Sequence, residues 1–248
     1  MGADQFRPAM ASPKGFVLHE GISPFDGQDI VSIATCHSSN RKTGDMVQVW
    51  ILPKDINPLD AVKQGLDTCI CGHCPHRGTG TKRTCYVNVG QAPVNIWKTY
   101  KKGVYPQITS YQEVFEDRVV RFGAYGDPAF IPDGVVANAL TFAKGHTGYT
   151  HQWYQDFAAD FKGVFMASVD SDIEEQMAHS QGWKTFRVFH PDAEITGSKI
   201  CPASVTENRV QCMTCLLCNG KKANIGIHAH GRAASQVGTA NQPVVLSR

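Results

Sequence analysis

Short apolar runs alternate with helically spaced apolar positions through the middle of the chain. Val47-Gln-Val-Trp-Ile-Leu52 alternates, turns continuously apolar and closes at Pro53, which predicts a strand. Ile96, Trp97 and Tyr100 fall at helical spacing within Pro93–Lys102, with proline at the start and Gly103 as the stop. Arg118–Gly123 predicts a strand leading into the loop Ala124–Pro128, and Pro132–Lys144 a helix ended by Gly145. The alternation then repeats. Gly148–Thr150 is a short strand, Gly163–Val169 a buried strand, Ile173–Gln181 a helix closed by Gly182, and Lys184–Phe189 another strand. Asp170-Ser-Asp172 supplies side chains that cap the third of these helices.

Strand–helix–strand alternation across short loops predicts an α/β fold with a mainly parallel sheet. The pattern alone is compatible with an open sheet and with a closed barrel. Residues 1–14 and 233–248 predict loose arms, which leaves 15–232 as a single α/β domain carrying a cysteine-rich C-terminal extension.

Composition narrows the partners. Of 248 residues, 42% are hydrophobic and 19% charged, and a formal net charge of +2 makes no electrostatic case for nucleic-acid or membrane partners. No apolar run approaches the roughly 20 residues that span a bilayer. Met1–Lys14 lacks an apolar signal core, so a reducing cytoplasm is expected, where clustered cysteines bind metal rather than pair as disulfides.

Eight of the nine cysteines fall into two sets of four. The later set, Cys201 followed by Cys212-x2-Cys215-x2-Cys218, suits a cubane 4Fe–4S cluster, because consecutive thiolates wrap three irons and the remote one reaches the fourth. Structural zinc is the competing reading. In the earlier set, Cys71, Cys74 and Cys85 make a three-thiolate site. Cys69, His73 or His76 is its fourth corner or a bystander. A three-cysteine cubane leaves one iron open to a small molecule. Cys36 stands alone as an incidental core thiol.

Other residues gather at predicted strand ends, where parallel sheets present ligand loops. Arg121, Tyr125 and Asp127 flank one such turn, and Tyr149, His151, Gln152 and Trp153 follow the next strand. Each has a plainer reading, an Arg121–Asp127 pair closing the loop and aromatic packing beneath it. Asp170 and Glu174 read as helix-capping residues in preference to acid–base partners. His228-Ala-His230 would suit a divalent metal for phosphodiester chemistry only with a nucleophilic tyrosine, Tyr100 or Tyr154, nearby. No Walker A loop, G-x-G-x-x-G or G-x-S-x-G motif is present.

From Cys71-Gly-His-Cys74-Pro-His-Arg to Cys85-Tyr-Val-Asn-Val-Gly-Gln-Ala-Pro93 the chain resembles a family of cysteine-rich proteins encoded by phages and prophages. The likeness continues through Arg121–Pro128, Gly148–Trp153, Met166–Asp170, Gly182–Arg187 and the Cys201–Cys218 set, covering roughly residues 60 to 232. More distantly it resembles the phage gene product 88 family and radical SAM-like proteins. That resemblance implies a partial (β/α) barrel with one or two 4Fe–4S clusters. It also implies a redox or radical enzyme in the infected cell's cytoplasm, with S-adenosylmethionine as a candidate ligand. The cysteine spacing departs from the C-x3-C-x2-C of radical SAM loops. The alternative is a non-enzymatic protein, stapled by 4Fe–4S or zinc, that binds a phage or host macromolecule.

Overall fold

The computed structural model describes residues 13–78, 83–205, 209–231 and 233–237, so the expected arms at 1–12 and 238–248 lie outside the described residues. Strand β1 (Gly15–Ile22) turns back on β2 (Asp29–Thr35), which lies antiparallel to β3 (Val47–Pro53). From β3 onward the sense changes. β3 pairs parallel with β4 (Val119–Tyr125), and β4 with β5 (Gly145–Thr147). A second sheet runs β6 (Tyr149–Thr150), β7 (Met166–Val169), β8 (Thr185–Phe189), β10 (Ile225–His228) and β9 (Lys199–Ile200), all parallel. The fold is therefore mixed α/β with parallel sheets, and the expectation of a mainly parallel arrangement holds for every strand pairing but β1–β2 and β2–β3. Neither sheet closes on itself among the described residues.

Helices cover these sheets for local reasons. The Asn57 side chain accepts the Leu59 N–H and Pro58 starts α1 (Pro58–Gln64), which Gly65 ends in the left-handed region. Short α2 (Thr68–Cys71) follows, then α3 (Ala92–Lys101), α4 (Tyr111–Phe115) and α5 (Asp133–Phe142). α6 (Asp172–Ser180) opens on Ser171, whose hydroxyl accepts the Glu174 N–H while Glu174 reaches back to accept the N–H of Asp170, one residue before the cap, at 2.7 Å. α7 (Cys212–Cys215) completes the set.

Three expectations need correction. β4 runs on through Ala124 and Tyr125, which the sequence placed in a loop, because both side chains are buried. The run Gly163–Val169 becomes a strand only from Met166; Val164 and Phe165 close a turn by donating to the Phe161 carbonyl. Gly145 opens β5 as well as following α5.

The core packs Phe115, Phe122, Phe165, Ile33, Ile51 and Leu52 between the sheets and helices, each fully buried. Gly148 alone separates β5 from β6, and a Cβ there would stand 2.4 Å from the Phe165 ring. The absent side chain lets one stretch of chain serve both sheets in turn.

Candidate metal centre and cavity

Alternate residues of a strand share a face, and here that period builds a pocket. Arg121, Gly123 and Tyr125 from β4, Thr147, Tyr149 and His151 from the β5–β6 stretch, Phe186 and Val188 from β8, and Ile227 from β10 line one cavity of about 420 Å³. Cys71, Cys74 and Cys85 border it, as do Cys201 and Cys212. The five residues singled out as a small-molecule site, Arg121, Tyr125, Asp127, Tyr149 and His151, all line this one space.

The N-terminal cysteine loop is held from both sides. Arg77 donates to the buried Asp67 carboxylate at 2.9 Å and to the Gly65 carbonyl at 2.8 Å. The fully buried Gln152 donates to the Cys71 carbonyl at 3.1 Å, and its Oε1 accepts the His73 N–H. This clamp requires Gly72, where φ is +51° and a Cβ would stand 2.4 Å from the Gln152 oxygen.

Helix geometry divides the set. In α2, positions two apart differ by about 200° around the axis, so Cys69 and Cys71 face opposite ways. Cys69 is 1% exposed, packs in the hydrophobic core, and is pushed up to about 12 by burial and then by Asp26 and Asp67. Cys71, Cys74 and Cys85 neighbour one another instead. Burial, then Cys74, Asp67 and Cys85, raise the Cys71 thiol, and burial raises Cys85 against the pull of Arg83. Burial also opposes ionisation of Cys74, but His151, with its Nε2 3.9 Å from the sulfur, outweighs it and lowers that thiol. The two histidines considered as a fourth corner go elsewhere. His73 lies edge-on to Phe25 at 4.8 Å, and His76 contacts Asp170 and Thr84.

The C-terminal four are also neighbours. Cys201, Cys212 and Cys215 all act on Cys218, which burial above all pushes up to about 12, and Tyr149 hydrogen-bonds its sulfur. Burial and then Cys201 raise Cys212, with Arg121 opposing. All four border a second, smaller cavity, which shares Cys201, Cys212, Thr147 and Ala203 with the first. All nine cysteines are free thiols. No three of their sulfurs lie within 4.8 Å of one another. Cys36 is buried in the core, with burial raising its thiol.

Several plainer readings fail here. Arg121 and Asp127 do not pair. Arg121 donates to the Tyr86 hydroxyl at 2.8 Å, whereas Asp127 accepts the Ala129 N–H at 3.0 Å and the His151 N–H at 2.8 Å. Asp170 does not cap α6, a task its neighbour Ser171 performs; its carboxylate takes His76 and His151. The His-x-His pair splits, His228 Nε2 lying 2.9 Å from the Ala193 carbonyl and His230 facing Lys42 and Tyr86 in the cavity wall. Sequence reasoning missed Arg83 and the role of Asp170. A carboxylate directly after a buried parallel strand is the signal that marks Asp170.

Orphaned polar atoms ring the N-terminal thiols. Both terminal nitrogens of Arg83 and the hydroxyl of Tyr125 are buried without a hydrogen-bond partner among the described residues, beside Cys71 and Cys85. Arg83 lies 3.5 Å from Asp67, close enough to attract but without hydrogen-bond geometry. No family model matches the chain, nor does any curated protein or solved structure.

Proposed function

We propose that the chain is an iron–sulfur protein on a partial (β/α)-barrel scaffold of the radical-SAM-like kind, acting as a redox or radical enzyme on a small molecule. The observation that carries this reading is the single cavity, into which three cysteines of one set, two of the other and five polar strand-end residues all face. The finer fold assignment is supported by parallel strands of both sheets, since β4, β5, β6, β7, β8 and β10 all contribute residues to that wall.

The donor set fits the group. Burial raises the Cys71, Cys85, Cys212 and Cys218 thiols, which a bound metal would deprotonate. Around one zinc, at a Zn–S distance of about 2.3 Å, tetrahedral sulfurs sit about 3.8 Å apart. No three cysteine sulfurs lie that close together, and the preference for a cluster over zinc rests on the C-x2-C-x2-C spacing with one remote cysteine. Cys71, Cys74 and Cys85 would hold one 4Fe–4S cluster with an iron open to the cavity. Cys201, Cys212, Cys215 and Cys218 would hold a second. Such a cluster, once bound, supplies one-electron transfer and a coordination position for a ligand such as S-adenosylmethionine.

The chain's own residues do the rest. The Arg83 guanidinium and Tyr125 hydroxyl, which have no hydrogen-bond partner among the described residues, would donate to thiolates beside them and stabilise negative charge there. Arg121 presents a cation to an anionic ligand in the cavity, and Phe186, Val188 and Ile227 exclude water along its far wall. The resemblance of the motif string to phage and prophage proteins is the ground for placing the action in the cytoplasm of an infected cell. No helix among the described residues is long and apolar enough to cross a membrane.

A second reading keeps the metal and drops the chemistry, the clusters or zinc stapling a surface that binds a phage or host macromolecule. Anaerobic purification followed by iron, sulfide and zinc analysis separates the two at the first step. Iron and sulfide in matching amounts, with an electron paramagnetic resonance signal altered by S-adenosylmethionine, support the enzyme. Stoichiometric zinc without sulfide overturns the cluster assignment. An unchanged signal with no cleavage products favours the staple.

A further inference from the structure

His76, His151 and Asp170 reach one point of the cavity from three segments. His76 comes from the cysteine loop, His151 from the end of β6 and Asp170 from the end of β7. His76 Nε2 lies 2.9 Å from one Asp170 oxygen and His151 Nε2 lies 3.3 Å from the other. All three donor atoms fall within 4.8 Å of one another. The side chains are only about a fifth exposed, and both imidazoles border the cavity.

A cysteine–histidine–aspartate relay would explain some of these contacts, since Cys74 is also near. A relay, however, uses both ring nitrogens, one toward the nucleophile and the other toward the carboxylate. Here the same atom, His151 Nε2, faces both the Cys74 sulfur at 3.9 Å and Asp170 at 3.3 Å. Donors that converge on one point describe a metal site. Metal–nitrogen and metal–oxygen bonds of about 2.1 Å place the donor atoms of one ion about 3.0 to 3.4 Å apart, depending on its geometry. The separations of 2.9 Å and 3.3 Å fall just below and within that range.

The outer contacts fit as well. A ligating histidine offers one nitrogen to the metal and the other to a fixed partner. The Nδ1 of His76 lies 2.9 Å from the Thr84 hydroxyl. The His151 backbone is held by Asp127 Oδ2, and the Asp170 N–H by Glu174.

We propose that His76, His151 and Asp170 form a mononuclear site for a divalent transition-metal ion, held by two imidazoles and one carboxylate and open toward the cavity. Two histidines and a carboxylate favour iron(II), with zinc and manganese as neighbours in preference, and leave positions for water or a substrate oxygen. None of the three is a ligand of the cysteine clusters, so the site goes beyond the iron–sulfur reading and stands or falls without it.

Cobalt(II) is the probe. The full chain, freed of labile metal by chelation under anaerobic conditions, is titrated with cobalt(II) as wild type, as Asp170→Asn, and as the Cys71→Ser/Cys85→Ser double variant. One bound cobalt that brings no thiolate-to-cobalt charge transfer is expected in wild type and in the double variant. Its affinity should fall at least about 100-fold in Asp170→Asn, beyond what loss of an outer contact costs. Circular dichroism of each variant establishes that it is folded. If the double variant does not fold, Asp170→Asn against wild type decides alone. Equal cobalt affinity in a folded Asp170→Asn protein, or no such cobalt in wild type, overturns the site. Absence of sulfide from wild type would overturn the clusters and leave the cobalt result untouched.

Discussion

The two cysteine sets use the same donor atoms in opposite settings. The C-terminal four are strung along a segment whose backbone depends on other parts of the chain. Cys212 donates to the Lys42 carbonyl, Cys201 to that of Gly226, and the Cys218 carbonyl accepts from Gly148. The N-terminal loop is already nailed down without metal, by Arg77 on Asp67 and by Gln152 on Cys71. One set reads as a place where metal makes the structure. The other reads as a place where structure has been prepared for metal and left open on one side. Donor count alone does not separate these cases; what holds the donors does.

Removing metal should therefore have unequal consequences, and this is the largest effect. Cys215→Ser should strip iron and sulfide from the C-terminal site and cost at least about 5 kcal/mol, because metal binding there is coupled to folding. At roughly 2–4 °C per kcal/mol for a chain of this size, that lowers Tm by 10 °C or more. Cys85→Ser should lose its metal with a much smaller fall. Calorimetry of both variants with metal analysis checks this, and equal falls would erase the distinction.

Next in size is Arg83→Gln. If the unpartnered guanidinium serves the N-terminal thiolates, the variant should weaken metal retention there about 10- to 100-fold, the usual cost of an outer-shell partner. The C-terminal site should be unaffected. Competition with a chelator, followed by iron counting in the Cys215→Ser background for the N-terminal site and in the Cys85→Ser background for the C-terminal site, measures it.

The third contrast lies within one set. Cys74→Ala should abolish N-terminal metal, whereas Cys69→Ala should keep it and lose about 1 kcal/mol of core packing. If both lose metal equally, the site uses all four cysteines and the open iron disappears.

How much of this was legible follows from the same physics. Strands β3, β4, β6, β7 and β8 announced themselves as short apolar runs, whereas β5, β9 and β10 did not, and the alternation of β4 and β5–β6 carried Arg121, Tyr125, Tyr149 and His151 to one wall. The β1–β2 hairpin carries its own signal, Asp26-Gly27 between apolar runs, with Gly27 at φ +74°. The inward turn of Cys69 follows from its two-residue spacing to Cys71, once Thr68–Cys71 is known to be helical. Asp170 was legible as a strand-end carboxylate but not as the partner of His76, because the two are brought together only by the folded sheet. Long-range convergence of that kind leaves no trace in local spacing.

The smallest effect is the most diagnostic in its sign. The Tyr125 hydroxyl is buried with no partner, and burial, then Cys71, raises its pKa far above the usual tyrosine range. A buried polar group without a bond costs about 1–3 kcal/mol, so its removal in the metal-free protein should be neutral or stabilising. In metal-loaded protein the same hydroxyl would donate toward the thiolates of Cys71 and Cys85, a bond to a charged group worth roughly 1.5–3 kcal/mol. Tyr125→Phe should then raise or leave unchanged the Tm of the metal-free chain and lower that of the loaded one. Thermal melts of both proteins, with and without metal, read the crossing directly. A shift of the same sign in both states would mean that Tyr125 takes no part in the N-terminal site, and the prepared setting argued for those three cysteines would lose one of its two donors.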